Sequence, residues 1–279
     1  MKKLIALLSL TLCACLMLTA FVGCGKTKTK YVANAISGVE TESYGFAVKK
    51  NANANIISAC NEVIGDANFK SQVGELVTYY TAVYGGDTPT ALTFDLPDLS
   101  DNTAGTLKVG TNAGFAPFEF PANEGGIDGV AGVDVAIMMM VAEKLNYTLT
   151  VTDMKFDSLP AALTSGTIDI IAAGFTKNEE RALSMDFSES YFTSTQYIVC
   201  SESANYTKLE DLKDLKIAVQ MGTTGDFLVS DEIDAGGLGS ATTVPYTSIT
   251  LAMQALKKGD IDCIVIDELP AKSLLIANN

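Results

Sequence analysis

Arg181 follows two carboxylates, Glu179 and Glu180, at a helical start capped by Asn178. A guanidinium there can pair with neighbouring carboxylates along a solvated helix face, or it can fork onto a carboxylate ligand. Asp267 closes the apolar run that begins at Ile261. A carboxylate at that strand end either caps the next helix or receives a cation. The strand-like run ending at Val219 opens into Gly222-Thr-Thr-Gly225. Phe115 and Phe118 flank Ala116-Pro117 and serve as core or as walls of a site. The chain has no His, which removes Ser-His-Asp and Cys-His nucleophiles, His-ligated zinc and the HExxH arrangement. Catalysis would rest on carboxylates, Lys, Tyr, Cys or a cofactor; no cofactor and no metal is expected.

The elements that position these groups belong to a chain of 279 residues, room for one large domain or two small ones. Hydrophobic residues make up 48%, ample for a core. With 19 basic against 33 acidic residues the formal charge is −14, which opposes nucleic-acid binding.

Lys2 and Lys3 precede an apolar run from Leu4 to Val22, which predicts a signal peptide over residues 1–23. A membrane-spanning anchor is the alternative. Phe21-Val22-Gly23-Cys24 resembles the lipobox of bacterial lipoproteins, with Phe21 where Leu is usual. That resemblance implies a lipid on Cys24, a tether over residues 24–29, and the outer face of the cytoplasmic membrane as location. Gly23 to Thr27 is not a phosphate loop, because the first glycine and the preceding strand are missing. Cys60, Cys200 and Cys263 sit in apolar strings. They read as buried small hydrophobes, with one disulfide and a spare thiol left open.

Periodicity predicts helices over 55–64 and 71–84, the second stopped by Gly85-Gly86. Ser43 to Val48 is β-like. Residues 85–105, rich in Asp, Thr, Pro, Ser, Asn and Gly, read as a linker. Strands then alternate with helices: 107–111, 133–145, 149–151, 159–163, 168–172, a helix start at 179, 196–200, 208–212, 216–219, 249–256 and 261–266. Such alternation predicts parallel sheets covered on both faces. Met138-Met-Met140 at helical spacing is core.

Four segments in order resemble the solute-binding proteins of amino-acid ABC transporters: Leu107-Lys-Val-Gly-Thr-Asn-Ala-Gly-Phe-Ala-Pro-Phe-Glu-Phe120; Gly129 to Leu145; Asp169 to Arg181 with Met185 to Tyr191; and Val219 to Gly225 with Asp262 to Asp267. The resemblance implies an α/β, two-lobed type II periplasmic-binding-protein fold with two hinge crossings. Arg181 then matches the arginine that receives the ligand α-carboxylate, with Ala173, Gly174 and Thr176 around it. Thr223 and Thr224 meet the same carboxylate from the other lobe. Asp267 takes the α-ammonium, Phe115 covers the ligand side chain, and Phe156 forms a second wall. Asn112 stands where the family commonly has Asp, which argues against a cationic ligand side chain.

Relatives continue past the last strand with a segment like YGIAVKKG and two helices. Here that piece stands at the other end, in Glu42 to Lys50 and the two predicted helices. The order reads as circularly permuted, with a truncated gene or a degenerate tandem copy as rivals. Lobe 1 is expected over 50–84 and 106–192, lobe 2 over 30–46 and 197–279, with crossings at 191–197 and 44–49. The implied function is a monomeric, lipid-anchored binder that takes a small amino acid to an ABC permease. A prephenate or arogenate dehydratase-like enzyme on the same fold and a ligand-sensing module are the alternatives; Asp267, which suits an ammonium, argues against the enzyme.

Overall fold

The computed structural model describes residues 29–123 and 126–279. The expected signal peptide over 1–23, and Cys24, lie outside the described residues. β1 (Tyr31–Ala35), β2 (Glu42–Tyr44) and β3 (Ala47–Lys49) come first, then helices α1 (Ala54–Ile64) and α2 (Phe69–Gly85). β4 (Gly105–Thr111), β5 (Phe120–Pro121), β6 (Val130–Ala131), α3 (Val133–Leu145), β7 (Tyr147–Asp153), α4 (Leu159–Ser165), β8 (Ile170–Ile171), α5 (Glu179–Ser184) and β9 (Met185–Phe187) follow. The remainder holds β10 (Phe192–Ser194), β11 (Gln196–Ser201), β12 (Lys216–Gln220), α6 (Thr224–Asp234), β13 (Thr242–Tyr246), α7 (Ile249–Lys258), β14 (Cys263–Asp267) and α8 (Glu268–Asn278).

These strands build two five-stranded sheets, ordered β7-β4-β8-β3-β9 and β1-β11-β14-β12-β13. A two-stranded ribbon of β2 and β10 sets Tyr44 opposite Phe192. The sheets are mixed, which corrects the all-parallel expectation. β4 runs parallel to β7 and β8, and β12 parallel to β13 and β14, but β3 and β11 run antiparallel to their neighbours. β11 enters directly from the ribbon strand β10, without the helical crossover that a parallel neighbour requires. The β-like run at 43–48 divides for a related reason. Tyr44 bonds within the ribbon, while Ala47 and Val48 bond to β8 and β9.

The core follows from the apolar periods. α1 buries Ile56, Ala59, Cys60 and Val63, and α2 buries Phe69, Val73, Leu76 and Tyr80. Both helices pack against α3, and α2 also packs against α8. Full burial of a large apolar side chain contributes about 1.5–3 kcal/mol, so these stripes bind the early helices to the rest. Within α3, Met138 is buried and Met140 packs at the cluster's margin, as core residues do. Residues 86–104 form no helix or strand. Leu92, Phe94, Leu96 and Leu99 nevertheless rest on the core, and the Thr93 amide donates to the Glu75 carboxylate at 2.9 Å. At the edge of its sheet, the Tyr31 amide donates to Asn279 Oδ1 at 3.0 Å, and Asn279 Nδ2 donates to the Tyr31 carbonyl at 2.9 Å. Among the described residues no helix is long and apolar enough to cross a membrane.

Candidate functional site

β4, β8, β12 and β14 all end toward one narrow cavity. Ligands of open α/β sheets bind in such crevices beyond the carboxyl ends of strands. Asn112, Phe115, Phe156, Gly174, Thr176, Arg181, Thr223, Thr224 and Asp267 line it, together with Glu119 and Gln220. Ala173, expected among them, is not a lining residue. Its side chain is buried with Phe156, Leu159 and Phe175 in the core behind the cavity.

Arg181 sits on α5, whose N-cap Asn178 accepts the Arg181 amide at 2.8 Å. The guanidinium donates to the Thr176 carbonyl at 2.7 Å and to the Gly222 carbonyl at 3.1 Å, so it touches segments from both sheets. It lies 4.0 Å from the Phe175 ring centre and 5.6 Å from that of Phe156. Burial lowers its pKa to about 10, opposed by Glu42, Asp267 and Glu180, and it remains a cation at neutral pH. Among the described residues it makes no ion pair. A half-buried guanidinium that donates only to carbonyls among the described residues, beside a cavity, has room for an anion.

Asp267 occupies the N-cap position of α8 but makes no side-chain cap bond. Its carboxyl accepts from the Tyr44 hydroxyl and, at 2.8 Å, from Gln196 Nε2. Burial, then the Glu42 carboxyl, raise its pKa to about 8 against those donors. Glu119 is fully buried, and neither carboxyl oxygen has a hydrogen-bond partner. Burial foremost, with Asp134, Asp153 and Asp267 adding to it, pushes its pKa well up. Asp134 accepts from the Gly174 amide at 2.9 Å and from the Tyr191 hydroxyl at 2.7 Å, with its pKa raised by burial to about 7. Gly174 has φ +54°, and a Cβ there would meet the Phe115 ring at 2.6 Å. Only glycine fits beneath the ring that covers the cavity.

The threonines divide their duties. The Thr223 hydroxyl donates to the Gln220 carbonyl at 2.8 Å and accepts from the Asp226 amide at 3.3 Å, which fixes the start of α6. The Thr176 and Thr224 hydroxyls donate to Glu42 Oε2 at 2.5 and 2.6 Å, and Gln196 Nε2 reaches Oε1 at 2.5 Å. Glu42, on the ribbon, therefore ties both sides of the cavity. Asn112 is fully engaged: Nδ2 donates to the Met154 carbonyl and Oδ1 accepts from Gln220 Nε2, both at 2.7 Å. Its amide closes the two sides on each other, and so it says little about ligand charge, contrary to the sequence expectation. Glu119, Gln220, Glu42, Gln196 and Phe175 were not anticipated. Glu119 and Phe175 stand inside the recognised segments, but only tertiary structure shows which way they turn.

The description "Bacterial extracellular solute-binding proteins, family 3" matches residues 107–262, more than half of the chain. The chain belongs to this family. A probable histidine-binding protein of Neisseria gonorrhoeae is 33% identical over 178 residues, covering 63% of this chain and 62% of that protein, less than two thirds of its length. The arginine-binding extracellular protein ArtP of Bacillus subtilis is 29% identical over 194 residues, covering 67% of this chain and 73% of that one. The solved structure of an ancestral arginine-binding protein bound to arginine is similar with a TM-score of 0.58 and 36% identity, covering 62% of this chain and 75% of that chain. The two-sheet arrangement is thus the type II periplasmic-binding fold of the family.

Proposed function

We propose that this chain is an extracellular, lipid-anchored protein that captures an amino acid with a cationic side chain and hands it to an ABC permease. The observation that carries the reading is the half-buried Arg181 guanidinium, without an ion pair among the described residues, on a cavity lined also by Asp267 and Glu119. A zwitterion supplies what each lacks: its carboxylate pairs with Arg181 and its ammonium with Asp267. Glu119, whose pKa burial pushes well up, would shed its proton to a guanidinium or ammonium on the ligand's side chain, beneath Phe115 and beside Phe156. The relatives named for arginine and histidine fit that reading, and it is one of a binder rather than an enzyme.

In this reading lobe 1 spans 50–84 and 106–192, lobe 2 spans 30–46 and 197–279, and a bridge spans 85–105; β3 (Ala47–Lys49) lies in the lobe 1 sheet, at the crossing. The ribbon β2–β10 is the hinge, about which the lobes separate to admit ligand. The order is that of a circular permutant: β1 to α2 supply the edge strand, the hinge strand and the helices that complete both sheets, and Asn279 bonds to Tyr31. The protein acts as a monomer, held to the membrane by a lipid on Cys24. A thermal-shift screen over the amino acids tests the ligand. Arginine, lysine and ornithine should raise the melting temperature most, since a ligand at a hundred times its Kd adds about 2.7 kcal/mol. A flat screen would remove the amino-acid reading, and a shift confined to neutral or acidic amino acids would remove the role of Glu119.

A further inference from the structure

Cys200 and Cys263 lie directly opposite each other in the antiparallel pair of β11 and β14. Neighbouring backbone bonds tell which kind of pair they form. The Glu268 amide donates to the Thr195 carbonyl at 3.0 Å, and these residues face each other one step beyond Gln196–Asp267. Bonded and non-bonded pairs alternate along an antiparallel ladder. Tyr197–Ile266 and Val199–Ile264 are therefore bonded pairs, and Cys200–Cys263 is not. The other side of β11 agrees. Ile36 donates to Gln196 and Glu202 donates to Lys30, so the even-numbered residues of β11 spend their backbone groups on β1.

A non-bonded pair brings its side chains closest, with Cα atoms about 4.5 Å apart, inside the roughly 4.4–6.8 Å span of disulfides. Opposed side chains share a sheet face. Both cysteines are fully buried free thiols in one apolar cluster with Ile198, Ile217 and Val265. Cys60 belongs to the other large cluster, around α1.

We propose that Cys200 and Cys263 are joined by a cross-strand disulfide in the exported protein. Its presence in the cell rests on the extracellular reading above; the capacity to form it does not. One cysteine thiolate attacks a small exogenous disulfide, giving a mixed disulfide and releasing one thiol. The second thiolate attacks the protein sulfur of that bond and expels the second thiol. Two protein thiols and one small disulfide thus become one protein disulfide and two small thiols, with two electrons passing to the oxidant. Burial raises the pKa of both thiols, so the exchange belongs to the stage before the sheet packs. Once formed, the bond is shielded from reductants by the same packing.

The full chain, reduced and unfolded in denaturant, is refolded in mixed reduced and oxidised glutathione. It is then denatured with N-ethylmaleimide and mapped without reductant. Most molecules should yield one linked peptide pair holding Cys200 and Cys263, with Cys60 alkylated. The linked form should melt about 10 °C above the reduced form. Cys200→Ala and Cys263→Ala should each abolish the linked peptide and the melting gain together. Cooperatively melting protein in which both cysteines carry maleimide overturns the proposal, as does linkage of either to Cys60. Protein made with its leader and collected from cells is mapped in the same way and needs no refolding. A failure of export leaves the refolded map intact, while a failure of linkage leaves export and ligand binding untouched.

Discussion

Arg181 and Asp267 line the same cavity, as the two ends of a zwitterion would require. Removing one partner of a desolvated pair costs about 3–5 kcal/mol. Arg181→Ala should therefore weaken amino-acid binding at least a hundredfold by calorimetry, at about 1.4 kcal/mol per decade; unchanged affinity would remove it from the site. Glu119→Gln should weaken arginine and lysine far more than a neutral amino acid of similar size. Equal loss for both would make Glu119 structural. Acid–base behaviour follows from the same groups. Asp267, raised to about 8, holds a proton at neutral pH and must shed it to receive an ammonium. Affinity for an amino acid with a neutral side chain, which leaves Glu119 protonated, should then rise with pH toward 8 by up to about tenfold per unit, with proton release measurable in buffers of different ionisation enthalpy. The groups around it are Glu42, Glu119, Arg181 and Tyr44, and a flat profile between pH 6 and 8 would contradict the assignment. Arg181, Asp267 and Phe115, picked out by the resemblance, line one cavity, while their residue types and places alone left a solvated helix face, a helix cap and core packing open. Glu119 was not legible, since one carboxylate between phenylalanines carries no period and its burial is a property of the fold.

At the scale of elements, the helices were readable and the edges were not. α1, α2 and α7 announce themselves by apolar residues three and four apart, and α3 by a run that is apolar almost all round. β1 and β13, YVANA and TTVPY, stand at the two edges of one sheet, where few side chains are buried and no clean alternation survives. β11's direction was also hidden, because it depends on the ribbon that precedes it. The packing of α2 gives a test. Leu76 is fully buried, and Leu→Ala changes in cores cost about 2–5 kcal/mol. Leu76→Ala should lower the melting point of the whole protein in one transition; a separate early transition would mean that α2 belongs to an independent unit. Buried Asp134 and Asp267 add a pH effect. Their folded pKa values, about 7 and about 8, lie above the ordinary 3.8, so their contribution is full below that value and is lost as pH rises through 7–8. The empty protein should thus melt lower at pH 8.5 than at pH 5.5, and the opposite trend would contradict their burial as acids.

For the whole molecule, the proposed permutation is open to a direct test. A variant in which residue 279 is linked to residue 31, and new ends are opened within 86–104, should bind the same ligand within a few-fold, because every described contact of the cleft survives. Loss of binding in a folded variant would tell against the permutation. Cys24→Ser should release the protein from the membrane or leave its leader uncut, and unchanged retention would refute the lipid anchor. The central claim is that one cleft recognises a cationic amino acid by both its zwitterion and its side chain. Its most direct measurement is a calorimetric titration of the purified protein with L-arginine and with agmatine, which lacks only the α-carboxylate. The account predicts saturable one-to-one binding of arginine and binding of agmatine at least a hundredfold weaker. Equal affinity for the two, or no heat with arginine or any other amino acid, would contradict it.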